Sequence, residues 1–566
     1  VAWRSATVPP AVPLDGADDV EAEIALVDAA IEGITAAYDA ALASGGGNAG
    51  ALPSVPSARP RARGPNPLTS LEARGIVSAH RAIARDPEFR ERIHAQIRQR
   101  RRTAAGAIAD AESYYSAMLM ATGSELLHER ALDVQDVCRF LLASVLGHDV
   151  GPAGPADFPP DAVCLADVLT PGQLLSIDRS RLRGLVLTHG GPTSHTVILA
   201  RSFGIPTVVG VEGLDWAGLE GTDIVVDGEL GIVAVLDTEP VRRYYGMERR
   251  RVAERQARQR KLSSEPGLTS DGCRIDVAAN ISCAEEAAAA FEAGADGIGM
   301  FRTEMLFVHR DRPPGEDEQF EQYRAALVAA RSRPVIIRTL DAGGDKDVPY
   351  LALGREDNPF LGRRGVRLYP DFIDVVRTQV RALLRASAFG RLKIIVPMIA
   401  AVEEARWVRG VVEEEKSRLA DSGVPFDGAV EVGAMVEVPS AAFLVEEMSE
   451  VLDFFSIGSN DLLQYFVAAD RGNRAVRALY DPLNPAFVRI LQKVARDARA
   501  RSKWVALCGE IGGDVRYLPM LAGLGLNEIS VVPPAVPEVK AALRDLSASS
   551  CRSLADQLAM SATAAE

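Results

Sequence analysis

Residues 190–201 read GGPTSHTVILAR and place a nucleophile inside an anion-binding frame. Gly190 and Gly191 form a turn that lets backbone N–H groups come close to an anion. Thr193 and Ser194 add hydroxyl donors and a natural helix N-cap. The apolar run from Val197 predicts a helix whose positive end faces that turn. His195, held there, can take a phosphoryl group: its neutral nitrogen is the nucleophile and the turn steadies the negative charge. An ordinary capped turn with an incidental histidine looks the same over so short a motif. Residues further along the chain decide between the two.

From residue 268 onward, β-like runs alternate with helical ones, at 275–279, 297–301, 335–339, 394–398, 433–438, 454–457, 504–507 and 529–532. This alternation predicts a (β/α)8 barrel, a fold that carries its chemistry at the C-terminal strand ends. Those ends are polar here. The second strand runs into Arg302-Thr303-Glu304 and the third into Arg338-Thr339-Leu340-Asp341. The fifth ends in Glu437, the sixth in Gly458-Ser459-Asn460-Asp461 and the seventh in Cys508-Gly509-Glu510. Arg364 and Arg471 follow in loops. One arginine at a strand end can be a structural ion pair. Arginines and carboxylates converging from several strands point instead to a small polyanion gripped bidentately. Glu437 and Asp461 offer hard oxygens suited to Mg2+, which takes one or two carboxylates plus substrate phosphate.

Several elements must position these residues. A chain of 566 residues suggests about three or four domains. Residues 18–42 have helical periodicity, 44–67 are rich in Gly, Pro, Ala and Ser, and helical pattern resumes over 70–146. Asp86-Pro87 and Gly123-Ser124 mark helix corners, and the basic residues 98–102 read as a solvated helix face. Short β-like runs at 164–165, 184–187, 207–209 and 223–226 then surround the His195 motif. The division expected is a helical subdomain over 1–150, a small α/β domain over 151–238, a charged helical linker over 239–265 and the barrel over 266–566.

Composition narrows the function. A net charge of −14 argues against a nucleic-acid or anionic-membrane binder. The cysteines (Cys138, Cys164, Cys273, Cys283, Cys508 and Cys551) form no CxxC pair, so a reducing cytoplasm fits. The opening residues lack a basic segment followed by an apolar core, so no signal peptide is expected, and no apolar stretch is long enough to span a bilayer.

With these residues in place, the chain resembles Enzyme I of the bacterial phosphotransferase system, the phosphoenolpyruvate–protein phosphotransferase family. The matching motifs are GGPTSHTVILAR, GMFRTEMLF, RTLDAGGDK, NPFLGRRGVR, MVEVPSAA, FFSIGSNDLLQY, DRGN and LCGE, in the family's order. The resemblance implies a multidomain α/β protein with an N-terminal helical subdomain, a swivelling α/β phosphohistidine domain and a C-terminal (β/α)8 TIM barrel. It implies that His195 is phosphorylated by phosphoenolpyruvate, with Thr193 helping to hold the phosphoryl group. Arg302, Arg338, Arg364, Asn460 and Arg471 match the substrate pocket. Glu437 and Asp461 match the Mg2+ ligands, and Cys508 the residue that protonates the enolate carbon to give pyruvate. The helical subdomain resembles the docking site for HPr, a small histidine carrier protein, and the family dimerises through its barrel. Sugar uptake is the process such a reaction begins; a nitrogen-type regulatory branch is the alternative.

A pyruvate phosphate dikinase or phosphoenolpyruvate synthase would share the histidine domain and barrel. Those enzymes carry a large ATP-binding domain before the histidine domain, and no GxxxxGK[ST] loop is present here. No sensor domain precedes the helical part, as expected of the sugar-transport branch. Three departures from the family stand out. Residues 1–14 do not match its opening segment, so the small domain is expected to lack an edge strand or to form it differently. The loop 44–67 is longer than usual, and Ser459 replaces a more usual threonine.

Overall fold

The computed structural model describes residues 2–4, 16, 19–43, 71–121, 125–146, 161–167, 169–170, 173–174, 177, 181–188, 195–211, 213, 216–308, 310, 312–344, 348–354, 356–471, 473 and 475–563. The chain divides into two compact units, Val1–Arg250 and Arg251–Glu566.

In the first unit, helices α1 (Val20–Ala43), α2 (Leu71–Arg85), α3 (Pro87–Arg100), α4 (Ala104–Met120) and α5 (Glu125–Val145) form the expected helical part. The Asp86-Pro87 corner is a capped helix start. Asp86 accepts from the Glu88 and Phe89 N–H groups at 2.7 and 3.3 Å, and Pro87 fills the first helical position without needing a partner. Gly123-Ser124, the loop 44–67 and the boundary near 151–155 lie outside the described residues. Within the basic cluster, Arg98 is exposed and pairs with Glu91, whereas Arg102 folds back onto Asp110 at 2.9 Å.

Strands β2 (Ala162–Ala166), β3 (Leu182–Leu187) and β4 (Thr207–Val209) are parallel. The opening segment does supply an edge strand. In β1 (Ala2–Arg4), Ala2, Trp3 and Arg4 pair with Val163, Cys164 and Leu165, which completes the order β1-β2-β3-β4. So short an edge strand carries no readable periodicity. A hairpin, β5 (Ile224–Asp227) and β6 (Ile232–Val235), lies over one face. Its second strand goes unread in the sequence because its residues are only partly covered. All of β2 is buried because successive side chains point to opposite, covered faces. Ala162, Cys164 and Ala166 join the core shared with the helices, while Val163 and Leu165 pack with Ile224, Val226 and Val233 of the hairpin.

The charged helix Glu239–Ser263 has no buried residue, as its composition predicts. Beyond it, β7 (Asp276–Ile281), β8 (Ile298–Arg302), β9 (Val335–Arg338), β10 (Leu392–Val396), β11 (Glu431–Val436), β12 (Phe454–Gly458), β13 (Trp504–Cys508) and β14 (Glu528–Val531) close into an all-parallel barrel. Strands covered on both faces read as continuous apolar runs, which is why all of them were visible in the sequence. Met300, Ile336, Ile395, Met435, Phe454 and Cys508 cluster apart from the large core that joins strands to helices, and they fill the barrel interior. Among the described residues no helix is long and apolar enough to cross a membrane. All six cysteines are free.

Candidate active site

The residues expected to act at the strand ends converge on the C-terminal rim of the barrel. β8 and β9 end side by side, with Arg302 in register with Arg338. β11 leads into Glu437. β12 ends at Gly458, paired with Cys508 at the end of β13. Helix Ser459–Val467 starts there and carries Asn460 and Asp461. Two glycines create the space. A Cβ on Gly458 would sit 2.8 Å from the Cβ of Glu437, and one on Gly509 would meet Ser459 Oγ at 2.0 Å. Gly509 also has φ 148°, outside the range favoured by other residues.

Asp341 ties the buried arginines together. Arg364 donates through Nε to Asp341 Oδ1 and through Nη2 to Asp341 Oδ2, both at 3.0 Å. Nη2 also reaches Asp461 Oδ2 at 2.9 Å, and Nη1 donates to Tyr465 Oη at 3.2 Å. Tyr465 in turn donates to the Phe360 carbonyl at 2.6 Å. Arg338 pairs with Glu304 through Nη2, which lies 3.4 Å from Asp341. Burial would lower both guanidinium pKa values, but the surrounding carboxylates outweigh it and raise them. Both arginines therefore stay charged. Arg302 and Arg471 are exposed. The Arg471 N–H donates to Gln464 Oε1 at 3.2 Å, and its side chain bonds Tyr480, which donates to the Asn460 carbonyl at 3.0 Å. The Asn460 side chain exchanges hydrogen bonds with Glu510, donating at 3.2 Å and accepting from its N–H at 3.1 Å.

Among the described residues, two buried atoms on this rim have no hydrogen-bond partner, the donor Arg338 Nε and the acceptor Asp461 Oδ1. Such groups are costly unless a ligand completes them. Glu437 is buried and accepts from the Met398 N–H at 2.7 Å. Its carboxyl is pushed up to about 8, first by burial and then by Asp461 and Asp341. Carboxylates crowded in this way, with an acceptor left open, fit a hard divalent cation. Among the described residues no group of three or more His, Cys, Asp or Glu side chains forms a metal cage. Two carboxylates completed by substrate oxygens match what Mg2+ takes.

Cys508 lies 2 % exposed inside the rim. Its thiol is pushed up to about 11, chiefly by burial, with Glu437 adding to the rise and Ser456, Arg338 and Arg302 opposing it. It is therefore a protonated thiol at neutral pH, as a proton donor must be.

His195 begins the helix His195–Ser202, as the motif predicts. Its neighbour Thr196 is buried and bonds the Leu169 carbonyl at 2.7 Å, which fixes the start of that helix. Thr193 and the glycine turn lie outside the described residues. His195 belongs to the first unit and the barrel rim to the second.

Sequence reasoning named Asp341 only as part of a strand end and missed the linking role of Tyr465 and the Met398 N–H. Tyr465 had a signal: it lies four residues after Asp461, on the same helix face. The Met398 contribution had none, since a backbone donor shows no residue type.

Family models match three stretches. Residues 2–130 match the PEP-utilising enzyme N-terminal domain, 158–231 the PEP-utilising enzyme mobile domain and 256–548 the PEP-utilising enzyme PEP-binding domain. Multiphosphoryl transfer protein 2 of Escherichia coli (strain K12) is 44% identical over 482 residues, 85% of this chain and 58% of that protein. The chain thus spans a little over half the length of that relative. Phosphoenolpyruvate-protein phosphotransferase of Staphylococcus carnosus (strain TM300) is 38% identical, covering 87% of this chain and 85% of that one. The protein of the same name from Bacillus sp. (strain S) is 40% identical over 83% and 81% of the two chains. With three PEP-utilising enzyme domains along the chain and relatives 38–40% identical that it covers to 81–85%, the chain belongs to the phosphoenolpyruvate-protein phosphotransferase family of PEP-utilising enzymes.

Proposed function

We propose that this chain transfers the phosphoryl group of phosphoenolpyruvate to His195 and then to a histidine of an HPr-type carrier protein, releasing pyruvate. It would act in the cytoplasm as the first step of phosphotransferase-system sugar uptake. The observation that carries this reading is the barrel rim itself. Among the described residues, a buried guanidinium with an open donor, Arg338, and a buried carboxylate with an open acceptor, Asp461, occupy one site. That combination accepts an anion together with a cation.

In this reading Arg302, Arg338 and Arg471 grip the phosphate, with Arg364 and Asn460 orienting the rest of the substrate. Glu437 and Asp461 would hold Mg2+, which neutralises charge on the transferring phosphoryl group. Such a transfer needs mainly positioning and charge neutralisation. An imidazole nitrogen of His195 attacks phosphorus, and the bond to the enolate oxygen breaks. The Cys508 thiol gives its proton to the enolate carbon, and pyruvate leaves. Thr193 would steady the phosphoryl group on His195.

The domain reading follows from the same roles: carrier docking over 1–150, the phosphohistidine domain over 151–238, a linker over 239–265, and substrate binding with homodimer formation over 266–566. His195 must meet the barrel rim in one step and the carrier in the next, so its domain swivels.

Pyruvate release with purified components tests the proposal. Turnover that needs phosphoenolpyruvate, Mg2+ and a histidine carrier, but no ATP, is expected. Turnover that requires ATP, or none with any histidine carrier, contradicts it.

A further inference from the structure

We propose that Ser456 is a positioning residue for Cys508: its hydroxyl aims the thiol and steadies the sulfur once the proton has gone to carbon. This rests on the reading of Cys508 as proton donor given above.

The two residues lie on neighbouring parallel strands. Ser456 is in register with Ala506 and Gly458 with Cys508, so Ser456 sits one pleat repeat below the thiol. Its Oγ donates to Cys508 Sγ at 3.3 Å, and Sγ itself lies 3.6 Å from the Ile457 carbonyl. Ser456 is 1 % exposed, beside an interior cluster otherwise made of Met300, Ile336, Ile395, Met435 and Phe454. A hydroxyl is costly there unless it is used, and the thiol is the partner it has among the described residues. The charged groups facing the sulfur are Glu437 from the end of β11, Arg338 from β9 and Arg302 from β8.

The proton step balances simply. The S–H bond breaks and its electron pair stays on sulfur as thiolate. The enolate pair forms the new C–H bond, and the carbonyl of pyruvate is restored. A thiolate among these buried apolar side chains is poorly solvated, and the Ser456 O–H is the donor already aimed at it. Water later returns the proton to sulfur.

The test uses the full chain with phosphoenolpyruvate and Mg2+, and reads two rates. One is formation of phospho-His195 in a single turnover. The other, read with pyruvate in place of phosphoenolpyruvate, is deuterium entry into the pyruvate methyl group in D2O, which runs the proton step backwards, followed from pH 6 to 10. Ser456→Ala is expected to leave phospho-His195 formation within about twofold. It should slow methyl exchange about tenfold or more, the worth of one hydrogen bond to a charged group. The rise of exchange with pH should also move to higher pH. Ser456→Thr, which keeps the hydroxyl, should restore both. An exchange profile for Ser456→Ala that superimposes on the wild type overturns the proposal, as does an equal slowing of both rates. Cys508→Ala separates the two levels: wild-type exchange in that variant would overturn the reading of Cys508 itself.

Discussion

Arg364 holds Asp461 at 2.9 Å while the same guanidinium grips Asp341. One buried cation thus balances two carboxylates, one of them a candidate metal ligand. Opposite charges held at this depth are strongly interdependent, and removing the shared partner strands both acids. Arg364→Ala is expected to destabilise the barrel by about 3–5 kcal/mol and to abolish turnover. Urea unfolding together with pyruvate release checks this. Unchanged stability would mean that the network is dispensable to the fold.

Glu437 gives a pH signature with a definite sign. Its carboxyl holds its proton up to about 8 in the folded chain, against an ordinary value of 4.5. Between those values the unfolded state has lost the proton and the folded state has not, so stability falls as pH rises from about 4.5 through about 8. Glu528, buried in β14 and raised to about 8 as well, adds a fall of the same sign. Glu437→Gln should therefore melt at a higher temperature than the wild type at pH 8, with a flatter slope over that window. Calorimetry without Mg2+ from pH 5 to 9 reads both. Parallel curves would contradict it.

Lys540 is a buried clasp. Its ammonium reaches the carbonyls of Ser263, Glu265 and Gly294 at 3.2, 2.8 and 2.6 Å, and Asp296 at 2.8 Å. It fastens the end of helix Glu239–Ser263 and the turn that follows to the barrel. Lys540→Met takes the shared donor from all four acceptors and is expected to cost about 1–3 kcal/mol. Amide exchange should rise selectively at residues 260–268. Protection there equal to the wild type would contradict the clasp.

The barrel is legible because its strands are apolar on both faces, yet two strands start two residues earlier than expected. β10 runs Leu392–Val396 rather than 394–398, and β11 runs Glu431–Val436 rather than 433–438. Lys393 disguises the start of β10: its ammonium lies over the Phe454 and Trp504 rings at 5.0 and 4.6 Å, and a charge reads as loop. Met398, two residues past the end of β10, turns the chain with φ 62°, which side-chain type does not announce. The site arginines and carboxylates were readable from strand ends. The ties among them were not, because Asp341, Tyr465 and the Met398 N–H meet them only through the closed barrel.

His195→Ala separates the two halves of the cycle. Carrier phosphorylation should disappear, while phosphoenolpyruvate binding at the barrel stays within about twofold, since the arginines and carboxylates lie in the other unit. Calorimetric titration of the variant with phosphoenolpyruvate and Mg2+ checks this. Loss of binding would contradict the two-part assignment.

The central claim is that His195 carries the phosphoryl group. Incubation with phosphoenolpyruvate and Mg2+, without ATP, followed by mass spectrometry that preserves acid-labile phosphohistidine, tests it most directly. One phosphoryl group on His195, matched by released pyruvate, is the expected result. A folded chain that releases no pyruvate, or carries the label on another residue, would contradict the account.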